Sequence, residues 1–211
     1  MTTALERLLA AGLRELPLEV DAERQGRLLA FLGLLEKWNG VYNLTAVRDP
    51  AEMVTLHLLD SLAVLPHVRG ERLLDVGAGP GLPGIPLAIV APGRRYTLLD
   101  SNGKKVRFMR QAVLELGLQQ VEVVQARVES YRPDAPFDTV ISRAFASLRE
   151  FVGLAGAHCA PGGRLLAMKG QYPEAELAEL PPGWRAVAVH RLAIPGLAAQ
   201  RHLVELAEGP E

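Results

Sequence analysis

A run of glycines and prolines, Asp75-Val76-Gly77-Ala78-Gly79-Pro80-Gly81-Leu82-Pro83-Gly84, follows one short apolar stretch and leads into another, Ile85 to Val90. Glycine at this density serves a backbone that turns tightly or lies directly against a ligand. Between a strand and a helix, such a run is the ligand loop of a nucleotide-type α/β sheet. A P-loop is excluded, because no Gly-Lys-Ser/Thr follows. Dinucleotide binding is met literally by Gly79, Gly81 and Gly84. Against it, Pro80 and Pro83 stiffen the loop, and Pro83 lacks an N–H that a pyrophosphate would use. Asp75, Gly77, Gly79 and Gly81 also fit the acid-x-Gly-x-Gly-x-Gly pattern of S-adenosylmethionine (AdoMet) sites. AdoMet carries no phosphate, so that reading needs no pyrophosphate cradle. Asp100 ends the next apolar run, 23 residues after Gly77, where a carboxylate can accept both ribose hydroxyls. Ser101 beside it belongs to the same candidate cofactor set. Asp75 either touches ligand or only braces the loop.

The rest of the chain supplies the sheet this loop requires. Leu73 to Val76, Tyr96 to Leu99, Val121 to Gln125, Thr139 to Ser142 and Arg164 to Met168 read as buried parallel strands. Helical stretches separate them. Ser101 is placed to cap one running to Glu115, with Gly117 just beyond. Ser147-Leu148-Arg149-Glu150 reads as a capping box opening another, which is expected to stop at Pro161-Gly162-Gly163. Trp184 to Val189 and His202 to Leu206 have turn residues but no clear helix between them, which suggests an antiparallel hairpin at the sheet edge. Before residue 70 lie three helical patterns, the third opened by the cap Asp49-Pro50-Ala51-Glu52. The predicted fold is α/β and Rossmann-like: a doubly wound, mostly parallel seven-stranded sheet with an antiparallel edge hairpin, preceded by N-terminal helices. It reads as a single domain spanning 1–211, with a helical extension over 1–70 and an AdoMet-binding core over 71–211.

Composition narrows the setting. At 211 residues, 49% hydrophobic, the chain is long enough for one well-filled core. No apolar run approaches the ~18 residues that cross a bilayer, and Met1 to Leu9 already carries Glu6 and Arg7, so neither a membrane span nor a signal peptide is expected. The single Cys159 excludes an internal disulfide framework and fits a reducing, cytoplasmic setting. The five histidines show no metal-ligand spacing, so no metal is expected. His57 and Asp60, three apart on one helix, are expected to brace the N-terminal helices against the glycine loop. A net charge of −1 announces no nucleic-acid partner, but Arg94 to Arg110 holds six basic residues against the single acid Asp100. Lys104, Lys105 and Arg107 in that stretch, and Lys169 ending the fifth strand, are candidate phosphate contacts, with a solvated helix surface as the plainer reading of the run.

Several stretches carry a family resemblance: Asn43-Leu44-Thr45, His57 to Leu62, Asp75 to Pro86, Leu98 to Ser101, Ile141-Ser142-Arg143-Ala144-Phe145 and Lys169-Gly170-Gln171. The chain resembles the RsmG, or GidB, family of bacterial small-subunit rRNA guanine-N7 methyltransferases, across nearly its whole length except the first and last ~20 residues. The resemblance implies AdoMet-dependent methylation of one guanine N7 in the decoding-region loop of 16S rRNA, as naked RNA or within the small ribosomal subunit. It also implies AdoMet contacts at Gly77, Leu82, Val128, Glu129 and Arg143. Guanine N7 has an in-plane lone pair and no proton to lose, so the absence of an obvious general base is consistent with that reaction. No residue is assigned as catalytic with certainty. Arg143 and Phe145 are the candidates for positioning the base, Phe145 by stacking on it. The segment Ser142-Arg143-Ala144-Phe145 replaces the Asn/Asp-Pro-Pro-aromatic motif used on exocyclic amines, and Cys159 is poorly placed as a C5 nucleophile. A small-molecule methyltransferase, a nicotinamide-linked oxidoreductase and a non-catalytic AdoMet-binding module are the competing readings. The protein is expected to act as a monomer.

Overall fold

A computed structural model describes residues 3–143 and 145–209. Helices α1 (Ala4–Glu15) and α2 (Ala22–Tyr42) begin at the caps Thr3 and Asp21, whose side chains accept the backbone N–H of Glu6 and Arg24. Asp49 caps α3 (Pro50–Met53), which passes into a π-helical turn (Val54–Leu59) and then α4 (Asp60–Leu62). The strands follow: β1 (Arg72–Val76), β2 (Arg95–Asp100), β3 (Val121–Gln125), β4 (Phe137–Ser142), β5 (Cys159–Lys169), β6 (Trp184–Arg191) and β7 (His202–Glu208). Helices α5 (Gly84–Val90), α6 (Gly103–Glu115), α7 (Leu148–Ala155) and α8 (Glu174–Ala178) connect them.

The strands form one sheet in the order β3-β2-β1-β4-β5-β7-β6, parallel except where β7 runs antiparallel between β5 and β6. This is the predicted topology. Alternate residues of the central strands serve opposite faces. Leu73, Leu98, Ile141 and Leu166 pack with α1, α2, α5 and α6, whereas Leu74, Leu99, Val140 and Leu165 pack with Leu148, Phe151 and Val152 of α7. Strands covered on both faces are apolar at most positions, which explains their largely hydrophobic runs, with Asp75, Thr97 and Thr139 as buried polar exceptions. Among the described residues, no helix is long and apolar enough to cross a membrane.

Two local expectations are corrected. Asn102, not Ser101, caps α6, accepting the N–H groups of Lys104 and Lys105. An Asn side chain reaches the same orphan donors as a serine, and one residue of offset is enough to exchange their roles. The helix opened by Ser147 ends at Ala155, and Pro161-Gly162-Gly163 lies inside β5. There it forms an irregularity in the β4–β5 ladder, whose register jumps between Phe137 and Thr139.

Candidate functional site

Open parallel sheets bind ligands outside the carboxyl ends of their strands, beside the point where strand order reverses. Here that point lies between β1 and β4. The glycine loop leaves β1 there. Its backbone is fastened to the end of β2: Gly77 and Ala78 donate to the Leu99 carbonyl (2.8 and 3.1 Å), and Gly79 donates to Asp100 Oδ2 (2.8 Å). Gly79 sits at φ 59°, in the left-handed region that favours glycine. Gly84 is required for a different reason. A Cβ there would collide with the Leu98 and Asp75 side chains, so its glycine lets α5 close onto the sheet.

Asp75 holds that closure. Its side chain is fully buried, and Oδ2 accepts the Gly84 N–H at 2.8 Å. Burial pushes its carboxyl up to about 7, against the Gly84 hydrogen bond and the Arg143 charge, while the Asp100 charge adds to the rise. The carboxyl therefore braces the loop. A group that holds its proton more tightly when folded favours folding below its unfolded value of 3.8, and that contribution is lost as pH rises through about 7. Stability of the ligand-free protein is expected to fall between these values by up to about 1.4 kcal/mol per pH unit from this group. Asp75→Asn keeps an acceptor for Gly84 and removes the proton. Thermal melts at pH 5 and pH 7.5 should show the variant with the flatter dependence, and equal dependence in both proteins would refute the assignment.

Two cavities flank the segment that follows β4. The first, of about 380 Å3, is lined by Val76, Gly77, Asp100, Ser101, Val128, Glu129 and Phe145 among others. Asp100 is nearly buried, and its Oδ1 accepts the Asn102 N–H at 2.8 Å, so one carboxylate fixes both the loop and the entry to α6. The Glu129 side chain is exposed, while its carbonyl accepts from Arg132 (2.7 Å). Phe145 is half-buried against Phe151, ring centroids 5.2 Å apart.

The second cavity, of about 400 Å3, is lined by His57, Asp60, Arg143, Lys169, Arg201 and His202, with Val47, Leu56 and Met168. Buried Asp60 is its anchor. Arg201 donates from Nε to Oδ1 (3.1 Å), and Arg143 donates from Nη1 to Oδ2 and to the Leu56 carbonyl (both 3.4 Å). Burial raises the Asp60 carboxyl above its ordinary value, and the two guanidiniums oppose that rise. His57 shares a 3.0 Å hydrogen bond between Nε2 and Thr45 Oγ1, and burial lowers it to about 4, so it is neutral near pH 7. The expected His57–Asp60 brace against the glycine loop is thus not what forms. The π-helical turn, closed by the Asp60 N–H on the Thr55 carbonyl, splays residues three apart, sending His57 to Thr45 and Asp60 to the arginines.

The structure brings Gly77, Asp100, Ser101, Val128, Glu129 and Phe145 to one cavity and places Arg143 in the other. Gly79 reaches the first cavity only through Asp100, and Leu82 is buried beneath the loop with its N–H on the Ala78 carbonyl. Lys104 and Arg107 are exposed on α6, and Lys105 extends its ammonium to 3.9 Å from where a Gly79 Cβ would stand. Lys169 pairs with Glu176 (2.8 Å) and donates to the Phe145 and Ala146 carbonyls (3.4 Å), so it ties down the segment between the cavities. Arg95 begins the strand that Asp100 ends, and Arg94 precedes it and donates to the Gly70 carbonyl. The basic run is therefore split across the sheet, ~17 Å from end to end. Ala144 lies outside the described residues. Burial pushes the Cys159 thiol up to about 11, leaving no thiolate for nucleophilic chemistry. Sequence reasoning missed Asp60 as an anchor and Arg201 altogether. Arg201 lies 141 residues from Asp60, and no local pattern joins them. Among the described residues, no cluster of three or more His, Cys, Asp or Glu is placed to hold a metal ion.

A seven-stranded sheet with this strand order, a glycine loop after β1 and an acid ending β2 define the Rossmann-like methyltransferase class. Solved structures share the fold. TrmN from Thermus thermophilus superposes with a TM-score of 0.60 at 22% identity, over 80% of this chain and 52% of its own. The glycopeptide N-methyltransferase MtfA, complexed with (S)-adenosyl-L-methionine, gives 0.63 at 15% identity, over 73% and 88%. The profile of the GidB family, rRNA small subunit methyltransferase G, matches residues 24–204. The ribosomal RNA small subunit methyltransferase G of Chromohalobacter salexigens is 60% identical over 206 residues, spanning 98% of this chain and 99% of the relative. That of Marinobacter nauticus is 56% identical over 196 residues, spanning 93% and 92%. The chain belongs to the GidB family of rRNA small subunit methyltransferases.

Proposed function

We propose that the protein methylates N7 of one guanine in the decoding-region loop of 16S rRNA, using AdoMet. The observation that supports this most directly is the pairing of two cavities across the segment after β4, one with the features of a nucleoside site and one walled by guanidiniums. The first cavity fits AdoMet. The bare backbone at Gly77 admits close approach, Gly79 sets the loop through its hydrogen bond to Asp100, and Asp100 lines the wall where a ribose would sit. In this reading Gly77, Asp100 and Ser101 hold the ribose and amino-acid end, Val128 and Glu129 border the adenine, and Leu82 acts through the loop it supports. When bound, AdoMet supplies a methyl group on a sulfonium, which guanine N7 can accept without losing a proton.

What remains for the chain is orientation, which can be worth several kcal/mol. Arg143 lines the second cavity, where its guanidinium would donate to guanine O6 and leave N7 open. Phe145 closes the wall between base and cofactor, and Lys169 fixes that wall through the Phe145 and Ala146 carbonyls. Neutral His57 lines the pocket without adding charge where a cationic product forms. Lys104, Lys105 and Arg107 lie on α6, which begins just after the Ser101 that lines the first cavity, and would put positive charge where RNA phosphates pass.

The test is methyl transfer from labelled AdoMet to 16S rRNA and to intact small subunits that lack the modification, followed by strand scission selective for N7-methylguanine. Label confined to one scissile guanine is the expected result. RNA label that resists scission would reject N7, and AdoMet binding without any RNA label would reject the substrate.

A further inference from the structure

Tyr172 is 55% exposed, and among the described residues it is the only aromatic side chain that is exposed rather than half-buried or buried. It follows Lys169-Gly170-Gln171 at the end of β5 and borders a shallow hollow of about 750 Å3. That hollow shares Gly170 and Arg201 with the second cavity, so the two adjoin. Space above Gly170 is open, with no atom within 4 Å of where a Cβ would stand. The Tyr172 ring is held at the junction by His202, which lines the second cavity; the two rings meet edge to face with centroids 5.8 Å apart. Gln171 and Gln200 add exposed amides along the same hollow.

An aromatic ring facing solvent loses the benefit of burial, and its position beside a base-sized pocket gives it a partner. A nucleotide extruded from an RNA loop leaves its neighbour with an uncovered π-face, which aromatic side chains commonly cover. We infer that Tyr172 is a positioning residue: it stacks on the nucleotide next to the target guanine while Arg201, in the shared wall, meets the phosphate between them. This rests on the guanine-N7 reading of the second cavity and extends it to the flanking nucleotide, for which stacking favours any base and hydrogen bonding to Gln171 and Gln200 favours some over others.

The test is a set of steady-state measurements on unmodified 16S rRNA and on small subunits, with Tyr172→Ala, Tyr172→Leu, Tyr172→Phe and Tyr172→Trp. Loss of one stacked base predicts that Tyr172→Ala lowers kcat/KM for RNA about tenfold, mostly through KM, with AdoMet affinity and melting temperature unchanged. Phe and Trp should restore kcat/KM to within about twofold of the native value, and Leu should not, because stacking requires a π-face. Native kinetics for Tyr172→Ala, or equal rescue by Leu and Phe, would overturn the inference. If native protein methylates naked RNA and Tyr172→Ala is defective on subunits but not on that RNA, Tyr172 serves a ribosomal protein and the inference is overturned as well. If native protein binds AdoMet yet transfers no methyl group to RNA, the guanine-N7 reading fails first and takes this inference with it.

Discussion

Asp100→Ala is expected to weaken AdoMet binding about a hundredfold, equivalent to about 2.7 kcal/mol. The nearly buried carboxylate accepts two backbone N–H groups, Gly79 on Oδ2 and Asn102 on Oδ1, both at 2.8 Å. Hydrogen bonds to a charged group contribute roughly 1.5–3 kcal/mol each, and leaving both donors unpartnered adds a desolvation cost. The damage reaches both walls of the cavity. Gly79 belongs to the loop over β1, and Asn102 caps α6, whose Lys105 extends back over Gly79. Removing the carboxylate therefore loosens the loop and the helix entry together, besides removing the acceptor proposed for the ribose. Asp100→Asn keeps an oxygen for one donor and should lose only about tenfold. Titration calorimetry with S-adenosylhomocysteine would measure both affinities, with a thermal melt to show that the sheet survives. An alanine variant within about threefold of native affinity would mean that the carboxylate neither holds the ribose nor sets the loop for the cofactor.

The carboxylate was legible because its position follows from short-range pattern. An apolar run, a turn of glycines and a second apolar run ending in an acid can be read within about thirty residues. Strands covered on both faces declare themselves in the same way, since every residue from Leu73 to Val76 or from Leu98 to Leu99 must be apolar except the one acid that braces the loop. The helix caps at Asp21, Asp49 and Ser147 are equally local. What did not show was anything decided by tertiary contact. Nothing in Val54-Thr55-Leu56-His57-Leu58-Leu59 announces a π-helical turn, yet that turn separates His57 from Asp60 and points the acid at two arginines. The basic run is divided for a related reason: β2 puts Arg94 and Arg95 at one end of the strand, and Asp100 with Lys104 and Lys105 of α6 at the other. The loop and the acid of the first cavity, Gly77 and Asp100, lie close together in sequence, whereas the second cavity is assembled from segments near residues 57, 143, 169 and 201.

That difference makes Arg143 the most informative position in the molecule. The resemblance to the RsmG family implies an AdoMet contact here, whereas the structure directs the guanidinium into the second cavity, onto Asp60 and the Leu56 carbonyl. Arg143→Ala is expected to slow methyl transfer at saturating AdoMet by about a hundredfold while changing AdoMet affinity by less than about threefold. The expected loss has two parts: the proposed donor to the base is gone, and Asp60 keeps Arg201 as its one remaining arginine, so the charged wall of the second cavity is no longer braced from both sides. The contact is long, 3.4 Å, and buried Asp60 keeps Arg201 at 3.1 Å, so no carboxylate is left unpaired and a thermal melt should show the fold intact. Arg143→Lys restores charge but not the planar fork that reaches a carbonyl, a carboxylate and a base edge together, and should recover no more than about a tenth of the native rate. Single-turnover rates and AdoMet titration on the same preparations separate the two roles. If affinity falls in step with rate, Arg143 serves the cofactor and the second cavity needs another residue to orient the guanine. If the rate falls alone, the arginine that Asp60 holds is what sets the base in line with the methyl group.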